Sequence, residues 1–389
     1  MDLVAVVNPG SSSVKISFFD EELHCLHQGS LSKIHLAAPL LHVDGETKTL
    51  DGPLDLNQAL ELLFQRIGVQ PQSIGYRFVH GGPFFHELTP LDESVVEKLL
   101  SIVDLAPLHI QTGVDAFRKC ESLFGKEVKH FALFDTGFFH ALPEPARHYA
   151  IPLELSKKHH IYRYGFHGIS HQYLRDKLEA YFQSMPKRAI TLHLGSGCSA
   201  TAHLMGKPID TSMGLTPLEG LVMSTRSGSV DPTLVDYISK KERVSIDEAL
   251  NLLNKESGWK GVSGLSSDLG AVLQSDTKEA RLAVSLFLRS VVTCIGGYIA
   301  ELGGLDALVF SAGVGENSAE IRESVTHALA WMGVEIDLDV NRSIQGVKEG
   351  QVVLISAPHS KVSVFVIGTD ENYEIARSLL AKEGFSRKE

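Results

Sequence analysis

The chain has 389 residues, of which 43% are hydrophobic and 21% are charged, and its formal net charge is -11. This length predicts a globular protein of two domains, each of roughly 150 to 200 residues. The negative charge argues against a nucleic-acid or membrane-surface partner, because both require a basic face. The four cysteines lie far apart and form no CxxC pair, so we expect neither disulfides nor a zinc site. The start of the chain has no basic region of the secretory type, which favours a reducing compartment.

The first stretch of the chain, residues 4–19, has the sequence VAVVNPGSSSVKISFF. Its alternation predicts two strands joined by a Gly-Ser turn. Lys15 lies just past the turn, where its ammonium group could reach a phosphate held by the loop. A serine-rich surface turn is the alternative, and this loop alone does not decide between them.

Two further predicted strands each carry a charged residue. Amphipathic helices are expected over 57–67 and 92–103. Arg77 lies within the apolar segment IGYRFVHGG, which points either to an anion site or to a structural ion pair. Asp135 ends the apolar strand HFALF, at the edge where open α/β sheets bind ligands, although a helix-capping role is equally open.

Two histidines, His167 and His171, have the i, i+4 spacing of a metal pair in the segment YGFHGISH. No glutamate of the HExxH type lies between them. Gly165 and Gly168 favour a loop over a helix here, which argues against a metal site.

The central stretch, residues 189–205, has the sequence AITLHLGSGCSATAHLM and repeats the pattern of the first: strand, Gly-Ser turn, strand. This echo suggests two related α/β halves, each offering backbone N–H groups to an anion. Gly195 to Ala200 formally fits the dinucleotide fingerprint GxGxxA, but that fingerprint must open a helix and a strand is expected here. No GxxxxGK[ST] motif occurs, so Walker-type NTPases are excluded.

Later segments add further candidates. Residues 210–232 form a long loop rich in Gly, Ser and Thr, and Arg226 lies within it as a second cation. The pairing of Asp135-Thr-Gly with Asp210-Thr-Ser could suggest an aspartic protease, but the strong helical periodicity argues against that all-β class. Ser245 and Glu248 form a capping box, and residues 261–270 are expected to be a glycine-rich loop.

The C-terminal third contains one long apolar helix, expected over 278–302 in the core rather than in a membrane. Residues 307–317 then predict a strand and a Gly-rich turn before a helix over 318–329, which suits a nucleotide contact. A last strand ends at Asp370 and Glu371. These two carboxylates suit Mg²⁺ near phosphates, or they simply favour the start of the helix expected over 372–381.

Together, these segments resemble the acetokinase family over nearly the whole chain. The resemblance is carried, in order, by NPGSSSVK, YRFVHGG, APLH, FDTGFFH, YGFHGISH, HLGSGCS, GKPIDTSMGLTPLEGL, TRSGSVDP, GVSGLSSD, FSAGVGENSAEIR and TDEN. It implies an α/β fold of two duplicated ribonuclease-H-like, actin-like ATPase domains with a central cleft. The expected lobes are residues 1–148 with 372–389, on the acyl-substrate side, and residues 149–371, on the nucleotide side.

The resemblance also implies reversible, Mg²⁺-dependent transfer of the γ-phosphoryl group of ATP to acetate, giving ADP and acetyl phosphate, a compound of acetyl-CoA biosynthesis. Mn²⁺ could replace Mg²⁺. A cytoplasmic homodimer is expected. Kinases of the same fold acting on propionate or another short acid, and an actin- or Hsp70-like nucleotide-dependent binding module, are the alternatives.

Site residues follow from the resemblance, motif by motif. Asn8 and Glu371 belong to the metal site, Arg77 holds the carboxylate of acetate, and Asp135 is the catalytic carboxylate. His167 and Arg226 stabilise the transferring phosphoryl group. The expected nucleotide contacts are Lys15, His193, Leu194, Gly195, Ser196, Gly197, Asp268, Leu269, Gly270, Gly313, Val314, Gly315, Glu316 and Asn317.

The acyl pocket implied by the resemblance consists of Val79, Leu108, Phe166 and Pro217. Val79 favours acetate, because propionate-preferring relatives have a smaller residue there. The chain departs from the family pattern at Ser196, where asparagine is usual, and at Gly270, where arginine is usual. It also departs at Pro9, which replaces a small residue, and at Ile110-Gln111, where Asn-Pro is usual. The first two departures leave the nucleotide preference open.

Overall fold

The structure, a computed structural model, describes residues 3–10, 12–344 and 346–383, apart from the side chains of Leu108 and Glu383. It divides into two compact units. The first unit consists of residues 1–140 and 370–389, and the second of residues 141–369.

Strands make up one sheet in each unit. They are β1 (Val4–Pro9), β2 (Ser13–Phe19), β3 (Cys25–Ser32), β4 (Leu40–Val43), β5 (Glu46–Thr49), β6 (Ser73–Phe78), β7 (Thr89–Pro90), β8 (Lys129–Phe134), β9 (Arg188–Leu194), β10 (Cys198–Leu204), β11 (Lys207–Thr211), β12 (Ala307–Ser311), β13 (Val352–Leu354) and β14 (Ser363–Ile367).

Helices connect and cover these strands. They are α1 (Leu56–Ile67), α2 (Glu93–Leu100), α3 (Pro107–Phe124), α4 (Glu144–Arg147), α5 (Leu153–His159), α6 (Gly168–Phe182), α7 (Thr233–Glu242), α8 (Ile246–Lys255), α9 (Gly258–Ser263), α10 (Leu269–Leu273), α11 (Lys278–Leu302), α12 (Ala312–Asn317), α13 (Ala319–Ala328), α14 (Leu338–Ser343) and α15 (Glu371–Glu383). Short 3₁₀ turns lie at Val103–Leu105, Gly137–Ala141 and Ala330–Met332.

The two sheets share one topology. The first sheet has the order β5-β4-β3-β2-β1-β6-β8-β7, and the second has the order β11-β10-β9-β12-β14-β13. In each unit the first three strands are antiparallel, and two later strands run parallel to the first: β6 and β8 beside β1, and β12 and β14 beside β9. The echo between residues 4–19 and 189–205 therefore marks the first hairpin of each duplicated unit.

The first unit is closed by the last helix of the chain. Gly75 in β6 has no side chain, and a Cβ there would lie 2.7 Å from Ile375 Cγ2 and 2.6 Å from Leu379 Cδ1 of α15. This glycine permits the helix to pack directly on the sheet. On α1, apolar residues at helical spacing are buried, and Asp55 and Gln58 form a capping box at its start.

The long apolar helix α11 begins and ends at the predicted residues. Among the described residues it alone is long and apolar enough to cross a membrane by length and composition, and 33% of its most apolar window is buried. Its buried residues, which include Phe287, Val291 and Ile295, recur at helical spacing. Core helices of globular proteins pass the same test.

Three local predictions were wrong. The segment expected as a loop around Gly168 begins α6, with His171 in its first turn. Part of the expected loop 261–270 belongs to the short helices α9 and α10. The turn after β12 is itself the helix α12. Helices of five or six residues contain too few positions to show a hydrophobic period, so the sequence pattern does not reveal them.

Candidate functional site

In the first unit, polar side chains gather where parallel strands end. Strands β1, β6 and β8 run parallel, with Val7 opposite Tyr76 and Phe78 opposite Phe134. Asn8, Arg77 and Asp135 follow or end these strands at the same edge of the sheet. This is the edge at which open α/β sheets bind ligands.

Arg77 is the centre of this group. Its Nε donates to Asp135 Oδ1 at 3.0 Å and its Nη2 donates to Asp135 Oδ2 at 2.8 Å, while Nη1 donates to Glu371 Oε2 at 2.6 Å. Burial opposes the charge, but the two carboxylates outweigh burial and raise the pKa of Arg77. The fork-shaped pairing fixes the plane of the guanidinium group. The ion-pair interpretation of Arg77 therefore describes this structure, and Asp135, only 1% exposed, orients the arginine.

The predicted metal residues flank this arginine. Asn8 lies at the end of β1 beside the Arg77 strand, and Glu371 contacts Arg77 from the first turn of α15. Amide and carboxylate oxygens suit Mg²⁺, which usually binds one or two protein groups together with phosphate oxygens and water. The donor set therefore fits a nucleotide-bound Mg²⁺. Asp370, by contrast, caps α15, because its Oδ1 accepts from the N–H of Tyr373 at 2.8 Å.

The other predicted residues of the first unit lie nearby in the chain. Lys15 is exposed on β2 and pairs with Asn8 across the hairpin, so both side chains point to one face of the sheet. Val79 directly follows β6 and is half-buried. Leu108 belongs to the first turn of α3, but its side chain lies outside the described part of the structure.

In the second unit, the turn between β9 and β10 is the counterpart of the first hairpin. It is closed by the N–H of Gly195, which donates to the carbonyl of Gly197 at 3.0 Å. The strand expected after Ala200 is β10, so the match to the dinucleotide fingerprint is accidental. The backbone of Ser196 is fixed from outside the turn, because its carbonyl accepts from the N–H and the hydroxyl of Ser224.

A cavity of about 770 Å³ opens beside this turn. Its volume lies within the range of small-molecule sites in proteins. Of the predicted nucleotide residues, it is lined by Gly195, Ser196, Asp268, Leu269, Gly270, Gly313, Val314 and Asn317.

Other predicted nucleotide residues do not line this cavity. They are Lys15, His193, Leu194, Gly197, Gly315 and Glu316. Glu316 has a structural role, since its Oε1 accepts from the N–H groups of Ala312 at 2.8 Å and Thr369 at 3.1 Å and thereby joins the ends of β12 and β14.

Several lining residues were missed by sequence reasoning. They are Trp259, Ser267, Leu273, Gln274, Ser318, Ala319 and Glu320. Most belong to the short helices α9 and α10 or to the start of α13, beside predicted motifs. Two quoted motifs were the signals that could have extended the prediction: GVSGLSSD, which contains Ser267, and FSAGVGENSAEIR, which contains Ser318, Ala319 and Glu320.

His167 and Arg226 lie side by side at Gly197. A Cβ placed on Gly197 would lie 3.3 Å from His167 Nε2 and 3.5 Å from Arg226 Nη1. The first distance is tighter than an ordinary contact and the second is an ordinary contact, so the absence of a side chain at residue 197 relieves crowding against His167 in particular. Phe166, which precedes His167, is 1% exposed.

The backbone and ring of His167 are both constrained. The residue has the left-handed conformation with φ of 57° at the start of α6, a strained state for a residue with a side chain. Its ring stacks on His193 at 4.1 Å between centroids, and its Nδ1 is 2.9 Å from Ser199 Oγ. Strain of this kind is found where function requires a particular geometry.

Arg226 has different surroundings from Arg77. Its Nη1 donates to the carbonyl of Pro217 at 3.0 Å and contacts Met223 Sδ at 3.5 Å. Within the described part of the chain it forms no ion pair with a carboxylate, and burial lowers its pKa. The group is half-buried. A partly desolvated cation without a counter-charge is unfavourable, so this arginine is suited to bind an anion.

The duplicated sheets, the cavity beside a Gly-Ser turn and the adjacent cation define an actin-like α/β protein built to hold a phosphorylated ligand. Comparisons with known proteins identify the family. The family model described as "Acetokinase family" matches residues 3–377. The acetate kinase of Treponema denticola is 38% identical, over 97% of this chain and 99% of its own.

Solved structures agree with this identification. The crystal structure of Porphyromonas gingivalis acetate kinase is 34% identical, with a TM-score of 0.88 over 98% of this chain and 99% of its own. The propionate kinase of Francisella tularensis is 35% identical, with a TM-score of 0.89 over 97% of this chain and 99% of its own.

The chain belongs to the acetokinase family. The predicted family and the predicted fold of two duplicated actin-like domains are therefore confirmed. The enzyme class, a phosphotransferase with a carboxyl acceptor, is confirmed as well.

Proposed function

We propose that the protein is an acetate kinase that transfers the γ-phosphoryl group of ATP directly and in line to acetate, giving acetyl phosphate and ADP, and catalyses the reverse reaction. The observation that carries the proposal is Arg226: a half-buried guanidinium group with no carboxylate partner in the described chain, beside His167 and close to a nucleotide-sized cavity. Such a cation stabilises the negative charge of a phosphoryl group during transfer.

The acceptor needs no strong base. A carboxylate is already ionised at neutral pH, so catalysis consists of aligning two anions and neutralising charge on the phosphoryl oxygens. Arg77 binds the carboxylate of acetate, and Asp135 holds the arginine in position rather than removing a proton. His167 and Arg226 contact the phosphoryl oxygens. The nucleotide occupies the cavity beside Gly195 and Ser196, and Lys15 contributes positive charge toward its phosphates.

Asn8 and Glu371 would hold the Mg²⁺ ion, or Mn²⁺ in its place. When bound, this cation neutralises charge on the β- and γ-phosphates. Glu371 Oε2 accepts from Arg77 Nη1, so this carboxylate joins the proposed metal site to the arginine proposed to bind acetate. The donor chemistry of the two side chains supports this part of the proposal.

Acetate is proposed as the main acceptor because the family resemblance assigns Val79, Leu108, Phe166 and Pro217 to the acyl pocket. One methylene is worth only about 1 to 3 kcal/mol in such a pocket. Propionate is therefore a poorer substrate rather than an excluded one. The similarity to a protein described as a propionate kinase supports it as the second candidate acceptor.

A cytoplasmic homodimer is part of the same proposal and is supported by the sequence resemblance. Sedimentation velocity of the purified chain tests the dimer directly. A mass near 85 kDa, about twice the 42.5 kDa of one chain, is expected, and a single species at the monomer mass would contradict it.

Hydroxylamine capture of the acyl phosphate tests the activity. The protein, ATP, Mg²⁺ and acetate should yield acetyl hydroxamate in proportion to enzyme, and acetyl phosphate with ADP should yield ATP. A nucleotide-dependent binding module would instead hydrolyse ATP slowly, with no hydroxamate and no stimulation by acetate. A higher kcat/KM for propionate than for acetate would favour the second candidate acceptor.

A further inference from the structure

His167 is the end of a buried chain of hydrogen bonds. Its Nδ1 lies 2.9 Å from Ser199 Oγ, and the same hydroxyl lies 2.8 Å from His171 Nε2. On the far side, His171 Nδ1 is 2.7 Å from Thr191 Oγ1, which is 2.8 Å from His203 Nε2. The four residues behind His167 are fully buried on α6, β9 and β10.

Each imidazole behind His167 is neutral. Burial lowers the pKa of His171 well below its usual value, and the neighbouring His193 and His203 act in the same direction. Burial, together with the positive charge of Arg175, lowers the pKa of His203 to about 3. A neutral imidazole donates from one nitrogen and accepts at the other. The hydrogen-bond directions along the chain are therefore coupled.

The coupling arises because each hydroxyl has one proton. Ser199 lies between two imidazole nitrogens and can donate to only one of them, so it must accept from the other. The same holds for Thr191 between His171 and His203. Only two directions are possible, and they leave His167 with opposite tautomers. One puts the proton of a neutral His167 on Nε2, and the other puts it on Nδ1.

We propose that Ser199, His171, Thr191 and His203 are positioning residues that hold His167 as the Nε2–H tautomer, so that its Nε2 donates to the transferring phosphoryl group. The inference rests on the proposed function. In this direction His203 donates to Thr191, Thr191 to His171, His171 to Ser199, and Ser199 to His167 Nδ1. The other direction would point a lone pair of neutral His167 at an anion.

Stacking completes the positioning. The His167 ring lies against His193, and His193 Nδ1 is held 2.9 Å from Ser170 Oγ. The hydroxyl of Ser170 lies 2.9 Å from Thr369 Oγ1, after β14. Hydrogen bonding thus determines which ring nitrogen of His167 carries the proton, and stacking on His193 fixes the plane of the ring. Such supporting hydrogen bonds typically change activity 10- to 100-fold when removed from a metal-bound histidine, a comparable situation.

Thr191→Val provides the test, because it removes the hydroxyl between His171 and His203 without changing the shape of the side chain and touches no substrate group. Thr201→Val is the matched control. Thr201 is equally buried, lies opposite Thr191 on the paired strand, and bonds to Thr211 outside the chain of interest. Thr191→Ser restores the hydroxyl.

¹⁵N NMR of labelled histidine reports the tautomer in ligand-free protein, with His167→Gln used for assignment. The wild type and Thr201→Val should show the Nε2–H form of His167, and Thr191→Val a mixture of tautomers. In the hydroxamate assay, Thr191→Val should lower kcat about tenfold with little change in KM, and Thr191→Ser should recover most of the loss.

An Nδ1–H or doubly protonated His167 in the wild type at pH 8 would overturn the proposal, as would equal behaviour of Thr191→Val and Thr201→Val. The wild-type spectrum needs no variant, so the test survives if Thr191→Val fails to fold. An Nε2–H signal from a protein that makes no hydroxamate would refute the proposed function and leave the tautomer assignment intact.

Discussion

Two arginines of the proposed site differ in how their charge is balanced. Arg77 is neutralised by Asp135 and Glu371, whereas Arg226 has no carboxylate partner in the described part of the chain. An arginine paired with carboxylates is held rigidly, so its guanidinium group keeps a fixed orientation. A half-buried arginine without a carboxylate partner leaves its charge available to a ligand, at some cost to the stability of the fold.

Replacing Arg226 by Gln should therefore reduce kcat by about 10²- to 10³-fold, because one cation that stabilises the phosphoryl group is lost. The melting temperature should stay the same or rise slightly, since a half-buried charge without a counter-charge is removed. Steady-state hydroxamate kinetics and thermal unfolding measure the two effects. Arg289→Gln, on an exposed position of α11, is the control. A kcat within threefold of the wild type would contradict the role of Arg226.

Val79→Ala tests acyl specificity. Enlarging the pocket by two methyl groups should raise the ratio of kcat/KM for propionate to that for acetate by about 10-fold or more. Both constants come from the same hydroxamate assay. Val69→Ala, which follows α1 in the same unit, should leave the ratio unchanged. An unchanged ratio in Val79→Ala would show that Val79 does not limit the acyl group.

At the level of elements, the turn between β9 and β10 lies against the two proposed catalytic side chains, His167 and Arg226. Its close approach depends on Gly197, since a Cβ there would lie 3.2 Å from His167 Cε1 and would force the ring to move. The turn thus depends on the absence of a side chain at residue 197 as well as on the hydrogen bond between Gly195 and Gly197.

Gly197→Ala should lower kcat by up to about tenfold while the protein remains folded, because the added methyl group crowds the His167 ring, which lies 3.2 Å away, rather than the core. Gly297→Ala on α11 is the control: a Cβ there has open space, so activity should be normal and stability slightly higher. Circular dichroism checks that the variants are folded, and the hydroxamate assay measures their kcat. Full activity in Gly197→Ala would mean that the His167 position is not critical.

The predictability of the elements follows from their physics. The hairpin of β9 and β10 and the helix α11 were predicted because strict alternation and a long helical period are local signals. The start of α6 was missed because Gly165 and Gly168 made the segment resemble a loop. The helix begins directly after His167, whose left-handed conformation is imposed by tertiary contacts rather than by local sequence.

The site shows the same division. The motifs predicted that Arg77, Asp135 and Arg226 belong to the site. No pattern in the sequence could predict that Arg77 forms ion pairs with two carboxylates, whereas Arg226 forms none in the described part of the chain. The structural role of Glu316 could not be predicted either, because its partner Thr369 lies 53 residues further along the chain. The charge balance of each arginine depends on residues distant in the sequence, and a single sequence does not show which residues pair.

For the whole molecule, buried histidines make stability depend on pH. His130 lies in the first unit with Nδ1 2.8 Å from the hydroxyl of Tyr76, and burial lowers its pKa to about 4 from the usual 6.5. Between these values the unfolded chain binds a proton that the folded protein does not. Stability must therefore fall as the pH falls from about 6.5 to about 4, by at most about 1.4 kcal/mol per pH unit for this group. His171 and His203 act in the same direction in the second unit.

His130→Asn removes this proton-binding group while its amide oxygen can still accept from Tyr76. The variant should lose less melting temperature than the wild type between pH 7.5 and pH 5.5, whatever its stability at pH 7.5. Differential scanning calorimetry at the two pH values measures the difference. An equal loss in both proteins would show that His130 does not contribute to the acid sensitivity.

The central claim is that His167 and Arg226 together hold the phosphoryl group while it moves from ATP to acetate. A crystal structure with Mg²⁺, ADP, acetate and a planar anion that mimics the transferring phosphoryl group tests it most directly. We expect ADP in the cavity beside Gly195 and Ser196, with oxygens or fluorines of the anion bound by His167 Nε2 and the guanidinium group of Arg226. An anion bound elsewhere, with both side chains turned away from it, would contradict the account.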